Sequence, residues 1–202
     1  LINSQQAVVR SWQKVAEEAD IAFEKLAGLH GIPSKQALRM IIGERGEQEV
    51  DRWAGRIDEL ELSDGEGVEI VSGARELLQE LSANSIPWLI VTSCSRQLAE
   101  FRTSQVGIEI PAGSVTFDDV DRGKPFPDPY LLGRSRVAEQ RRFLTNLEIW
   151  AVEDAPAGIS SAKAADCKVA AVQTTHQAPS LGEADLILSH LRDLRSLIEP
   201  QS

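Results

Sequence analysis

A change of rhythm constrains this chain more than any other feature. Beyond residue 67, short apolar runs alternate with segments of helical periodicity. The pattern predicts a helix over 73–83, a strand at Pro87–Val91, a helix over 97–105 and a short strand at Val115–Phe117. It continues with a helix from Pro129 to Ala138, a strand at Leu147–Val152, a helix over 156–165 and strands at Lys168–Val172 and Leu186–Leu188, closing with a helix around 191–198. Strands apolar on both faces, alternating with helices, need cover on both sides. That is the condition of a parallel sheet wound with helices on each face. The expected fold class is therefore α/β, a doubly wound parallel sheet.

The first third lacks this alternation. Val8, Trp12, Val15 and Ala16 fall on one helical stripe, with Ser4 placed to cap the helix. A second helix is expected from Pro33 to Ile42, with Gly43 as its stop. A third runs over 47–62, carrying Val50, Trp53, Ala54, Ile57 and Leu60 at helical spacing. Ser63-Asp64-Gly65-Glu66-Gly67 then reads as a hinge. The domain expectation is a small all-α unit over 1–66 and an α/β core over 67–202.

Composition narrows the function. Lys and Arg number 21 against 31 Asp and Glu, a net charge of −10, which argues against nucleic acid and anionic membranes as partners. No apolar run approaches a membrane span. Two cysteines, Cys94 and Cys167, make no disulfide framework, so a reducing cytoplasm is the expected compartment. A monomer is the expected state.

In parallel sheets, ligands meet the carboxyl ends of strands, so the residues after each predicted strand carry the information. Thr92-Ser93-Cys94-Ser95 follows the first, offering hydroxyls and helix N-terminal N–H groups to a phosphate oxygen; a plain helix cap would look the same. Glu153-Asp154 follows the Leu147–Val152 strand, and two carboxylates there suit a Mg²⁺ ion, although Asp154 could equally cap the next helix. Between them lies Asp121-Arg122-Gly123-Lys124-Pro125-Phe126-Pro127-Asp128-Pro129. A lysine between Gly and Pro has a restrained backbone and offers a fixed positive charge; an exposed loop lysine is the alternative. Asp128 is expected to cap the helix opened by Pro129.

In this order the three segments resemble motifs of the haloacid dehalogenase superfamily. The branch that the chain is most similar to holds sugar phosphatases and β-phosphoglucomutases with a helical cap inserted after the first strand. The resemblance implies that Ser93 binds the transferring phosphate, with Thr92, Cys94 and Ser95 alongside. It implies that Lys124 neutralises charge, and that Asp154 with Glu153 holds Mg²⁺. It also implies an aspartyl-phosphate intermediate on an Asp-x-Asp-Gly motif just before a Leu-Ile-x-Ser-like stretch. Here Leu1-Ile2-Asn3-Ser4 fills that stretch as a remnant of the first core motif, so the expected nucleophile lies just upstream of Leu1.

The segment Leu29–Arg39 resembles the family's cap recognition segment. His30, Lys35 and Arg39 are candidates to touch a small phosphorylated sugar or polyol, though Lys35 and Arg39, at i and i+4, also fit a solvated helix face. No His lies in residues 4–20, where the mutases usually carry one, and Ser34 stands where a basic residue would be. Both departures favour a phosphatase. A phosphosugar mutase is the alternative enzyme, and a non-catalytic phosphate-binding module is the reading if the native chain starts at Leu1. His176 and His190 read as structural or surface residues.

Overall fold

The structure, a computed structural model, describes residues 1–26, 33–140, 148–174 and 178–194. The chain divides into two compact units: Leu1 with Ile70–Thr92 and Ile110–Ser202, and Ile2–Glu69 with Ser93–Glu109.

The second of these is the helical unit. It begins with a two-residue strand, β1 (Ile2–Asn3), followed by α1 (Gln5–Glu18), α2 (Ser34–Ile42) and α3 (Glu47–Ser63). The three helices close on one apolar core of Val15, Ala16, Leu38, Ile42, Val50, Trp53 and Ile57 among others. The stripe of α1 is rotated slightly from the expected one: Ala7, Ser11, Val15 and Ala16 are buried, while Val8 and Trp12 lie at its edge. Ser4 occupies the cap position of α1 without a side-chain cap bond, and the Asn3 carboxamide oxygen accepts from the Gln5 N–H at 3.1 Å instead. Gly43 ends α2, but the chain runs on through a 3-10 turn, Gly43–Arg45.

This unit also takes α5 (Arg96–Gln105), a segment expected in the α/β core. The reason is local. Helix α5 packs on α3, and a buried Arg102–Glu61 ion pair joins them.

The α/β unit is built on β3 (Trp150–Glu153), β4 (Lys168–Val172) and β5 (Leu186–Leu188), all parallel and in that order. Strand β4 shows why its sequence is apolar beyond the exposed Lys168. Val169 and Ala171 enter one core with Tyr130, Ala151 and Ile159, whereas Ala170 and Val172 enter another with Ala74, Leu77 and Leu191. Both faces are buried, so the side-chain alternation of a strand leaves no position for a polar residue. Helices α6 (Asp128–Gln140) and α7 (Pro156–Ala164) serve the first core, and α4 (Ala74–Ala83) serves the second. The short strand β2 (Glu69–Ile70) precedes α4.

Two expected strands do not form ladders among the described residues. Residues 87–91 and 115–117 meet in a single parallel bridge, Val91 to Val115, after which Phe117–Asp119 turns into a 3-10 helix. The final helix is a 3-10 turn over Leu191–Leu194, and the remainder of its expected span lies outside the described residues, as do Leu147 and His176. No helix among the described residues is long and apolar enough to cross a membrane.

Candidate active site

The strand ends of the α/β unit bring three of the expected residues together. Along β3, Ala151 is buried, Val152 exposed and Glu153 buried again, so the period of the strand turns the Glu153 side chain inward. A buried carboxylate needs partners: the Asp154 N–H donates to Glu153 Oε2 at 3.4 Å, and the other oxygen has two side-chain partners. Glu153 Oε1 receives the Lys124 ammonium in an ion pair and the Tyr130 hydroxyl at 2.5 Å. Burial and the Glu153 charge together push the Tyr130 phenol well above its ordinary range, fixing it as a hydrogen-bond donor. The Lys124 Nζ also donates to the Val91 carbonyl at 3.0 Å. One lysine head thus links the end of β3 to the end of the 87–91 segment, which itself bridges to Val115.

Lys124 is held there by its loop. The Lys124–Pro125 peptide is cis, the Phe126 N–H donates to the Gly123 carbonyl at 3.0 Å, and the Phe126 carbonyl accepts from Ser161 Oγ at 2.5 Å. Asp128 does not cap α6 as expected. It lies within the helix, and its two carboxylate oxygens accept from the Arg122 guanidinium at 3.0 Å each. A bidentate fork is a stronger partner than a lone N–H, which explains the exchange.

Asp154 sits one residue beyond β3, with its side chain on the opposite side from Glu153 in strand register. It accepts from Thr174 Oγ1, past the end of β4, at 2.9 Å, and it is not the cap of α7, a place taken by Ala155. The two adjacent carboxylates therefore differ. Glu153 is committed to Lys124 and Tyr130, whereas Asp154 holds Thr174. Among the described residues no three acidic, His or Cys side chains are grouped to hold a metal. A single carboxylate suits Mg²⁺, which keeps several waters and shares substrate phosphate oxygens.

Gly158 completes this cluster. A Cβ there would fall on the Glu153 carboxylate, so the first turn of α7 closes over Glu153 at a distance that glycine alone permits. Tyr130, Thr174 and Gly158 were not singled out from the sequence. The signals existed: Tyr130 is the single tyrosine, six residues after Lys124, and Gly158 follows the carboxylate pair at one helical turn.

The hydroxyl segment divides between the units. The Thr92 N–H donates to the Val115 carbonyl at 2.9 Å in the α/β unit. In the helical unit, Ser95 caps α5, its Oγ accepting from the Leu98 N–H at 3.3 Å, and Cys94 Sγ accepts from Arg102 Nη1 at 3.3 Å. Ser93 is half-buried between them in sequence. Of the expected recognition residues, His30 lies outside the described residues. Lys35 pairs with Asp51, and Arg39 forks onto Glu47 at 2.8 and 2.7 Å, all on an exposed face of α2 and α3. Their charges are met by carboxylates of the same unit.

A restrained lysine and a carboxylate pair thus stand together at the end of a parallel strand of the α/β unit. The chain belongs to the haloacid dehalogenase-like hydrolase family, whose profile matches residues 1–172. It is 37% identical over 201 residues to hexitol phosphatase A of Escherichia coli (strain K12), covering 99% of this chain and 91% of that one. It is 31% identical to validoxylamine A 7'-phosphate phosphatase of Streptomyces hygroscopicus subsp. limoneus, covering 96% and 91%. Among solved structures, a hydrolase from Pseudomonas syringae superposes with a TM-score of 0.81 at 20% identity, over 100% of this chain and 94% of that one.

Proposed function

We propose that the protein is a Mg²⁺-dependent phosphatase of small phosphorylated sugars or polyols, working through an aspartyl-phosphate. The observation that carries this reading is the Lys124 ammonium, buried and fixed between the Val91 carbonyl and Glu153. A cation fixed at the end of a buried strand neutralises charge on a transferring phosphoryl group without reorganising during the reaction. The names of two relatives, a hexitol phosphatase and a validoxylamine A 7'-phosphate phosphatase, support this substrate class.

In this reading Ser93 and the N–H groups around Cys94 hold the phosphate oxygens, and Thr92 borders them. Glu153 keeps Lys124 in place, with the Tyr130 hydroxyl fixing the carboxylate. Asp154, steadied by Thr174, would hold Mg²⁺, and the ion would neutralise the phosphate and the nucleophile together. The 202 residues contain no Asp-x-Asp-Gly. We infer that this motif lies just upstream of Leu1. Its first carboxylate attacks phosphorus as the bond to the sugar oxygen breaks, and the departing oxygen takes a proton from the second Asp. Water, giving its proton back to that Asp, then attacks the acyl phosphate and releases inorganic phosphate.

The test is phosphate release by the native chain, including residues preceding Leu1, from hexitol and glycerol phosphates with and without Mg²⁺. Asp154→Ala is expected to lower kcat by about a hundredfold or more. Undiminished release by that variant, or equal release without Mg²⁺, overturns the reading. Conversion of a sugar 1-phosphate to the 6-phosphate faster than hydrolysis replaces it with a mutase.

A further inference from the structure

Arg102 has no part in the chemistry above, yet it is one of the most constrained charges in the helical unit. Its side chain is 12% exposed, and that of its partner Glu61 is 10% exposed. One arm of the guanidinium, Nη2, stands 3.2 Å from Glu61 Oε2 without the alignment of a hydrogen bond. The other arm, Nη1, donates to Cys94 Sγ at 3.3 Å. Glu61 lies in the last turn of α3, just before Asp64-Gly65-Glu66-Gly67, and Cys94 is the residue after Ser93.

We propose that Arg102 is a positioning residue that ties the turn at Ser93–Ser95 to the carboxyl end of α3. This rests on the phosphatase reading, in which that turn meets the phosphate. The physical reasons are three. A charge this buried is costly unless it is paired, so Glu61 and Arg102 hold one another in place. The planar fork lets one side chain address two groups at once, which a lysine at the same place could not do. Burial raises the Glu61 carboxyl while the Arg102 charge opposes the rise, so the two groups are coupled. The turn itself has a second anchor in Ser95, whose hydroxyl caps α5. With Ser95 held by the helix and Cys94 by Arg102, the N–H groups between them keep one direction. A shift in α3 would pass through Glu61 and Arg102 to residue 94.

The experiment compares Arg102→Lys, Cys94→Ala and the double variant of the native phosphatase. It reads kcat/KM, inhibition by inorganic phosphate and the thermal midpoint. Arg102→Lys keeps a charge for Glu61 but loses the fork, and Cys94→Ala removes the sulfur while leaving the ion pair. Both are expected to lower kcat/KM about tenfold to a hundredfold and to weaken phosphate inhibition. The double variant is expected to be no worse than the more affected single one, because both break the same link. A lowered midpoint with kcat/KM and phosphate inhibition unchanged overturns the proposal, as do single losses that simply multiply. An active parent with unaffected variants sinks this inference alone. An inactive parent sinks the phosphatase reading and this inference with it.

Discussion

The two units both use lysine–carboxylate pairs, in opposite circumstances. Lys124 and Glu153 are 11% and 7% exposed, at the end of a buried strand. Lys35 and Asp51 are 51% and 55% exposed, on the face shared by α2 and α3. In the first case each charge has left water and depends on its partner, and a third group, Tyr130, completes the set. In the second, water does most of what the partner does. An exposed pair is worth little to stability, whereas breaking a buried one strands a charge. The difference teaches where to look for function: the costly pair is the one at the strand ends.

Glu153→Gln keeps the size of the side chain and removes its charge, leaving the Lys124 ammonium unpaired. The expected loss is about 3–5 kcal/mol of unfolding free energy, measured by urea denaturation at pH 7. Loss of phosphate release should accompany it, because Lys124 is no longer held. A variant as stable as the parent would show that Lys124 finds another partner.

An intermediate case sharpens the contrast. Asp119 accepts from the Thr116 N–H and hydroxyl, each at 2.8 Å, and from Arg136 at 3.2 Å. These donors hold its carboxyl at about 2, with the Thr116 N–H first among them. A depressed carboxyl stabilises the fold above the unfolded pKa of about 3.9. That contribution disappears as pH falls through the folded value of about 2. Asp119→Asn is expected to cost about 1 kcal/mol at neutral pH. Its deficit should close as the pH of the denaturation series drops from about 4 towards 2. A deficit constant across that range would mean that charge plays no part.

The smallest effect belongs to the exposed face. Lys35→Ala and Arg39→Ala are each expected to leave the thermal midpoint and the KM for a sugar phosphate unchanged. A marked rise in KM with the midpoint unmoved would return these residues to substrate recognition.

Helices were the most legible part of the sequence. α1, α2, α3, α4 and α5 begin and end within a residue or two of the pattern, because helical hydrogen bonds are local and amphipathic spacing reports the buried face. Strands are less so. Residues 87–91 are as apolar as residues 168–172, yet the latter form β4 and the former make a single bridge. A strand is completed by its neighbours, and no property of the segment states whether they are there. The site shows the same division. Lys124, Glu153 and Asp154 were visible as residue types in order, but the separate duties of Glu153 and Asp154 depend on strand register. Arg122 claiming Asp128 was hidden because a fork across six residues competes with a cap that is local.

The contact between Gly158 and Glu153 has a consequence for how this protein can change. A larger residue at 158 needs a shorter acid at 153, and a shorter acid would draw back from both Lys124 and Tyr130. The two positions are therefore expected to change together, each substitution at one being best tolerated beside a matching one at the other.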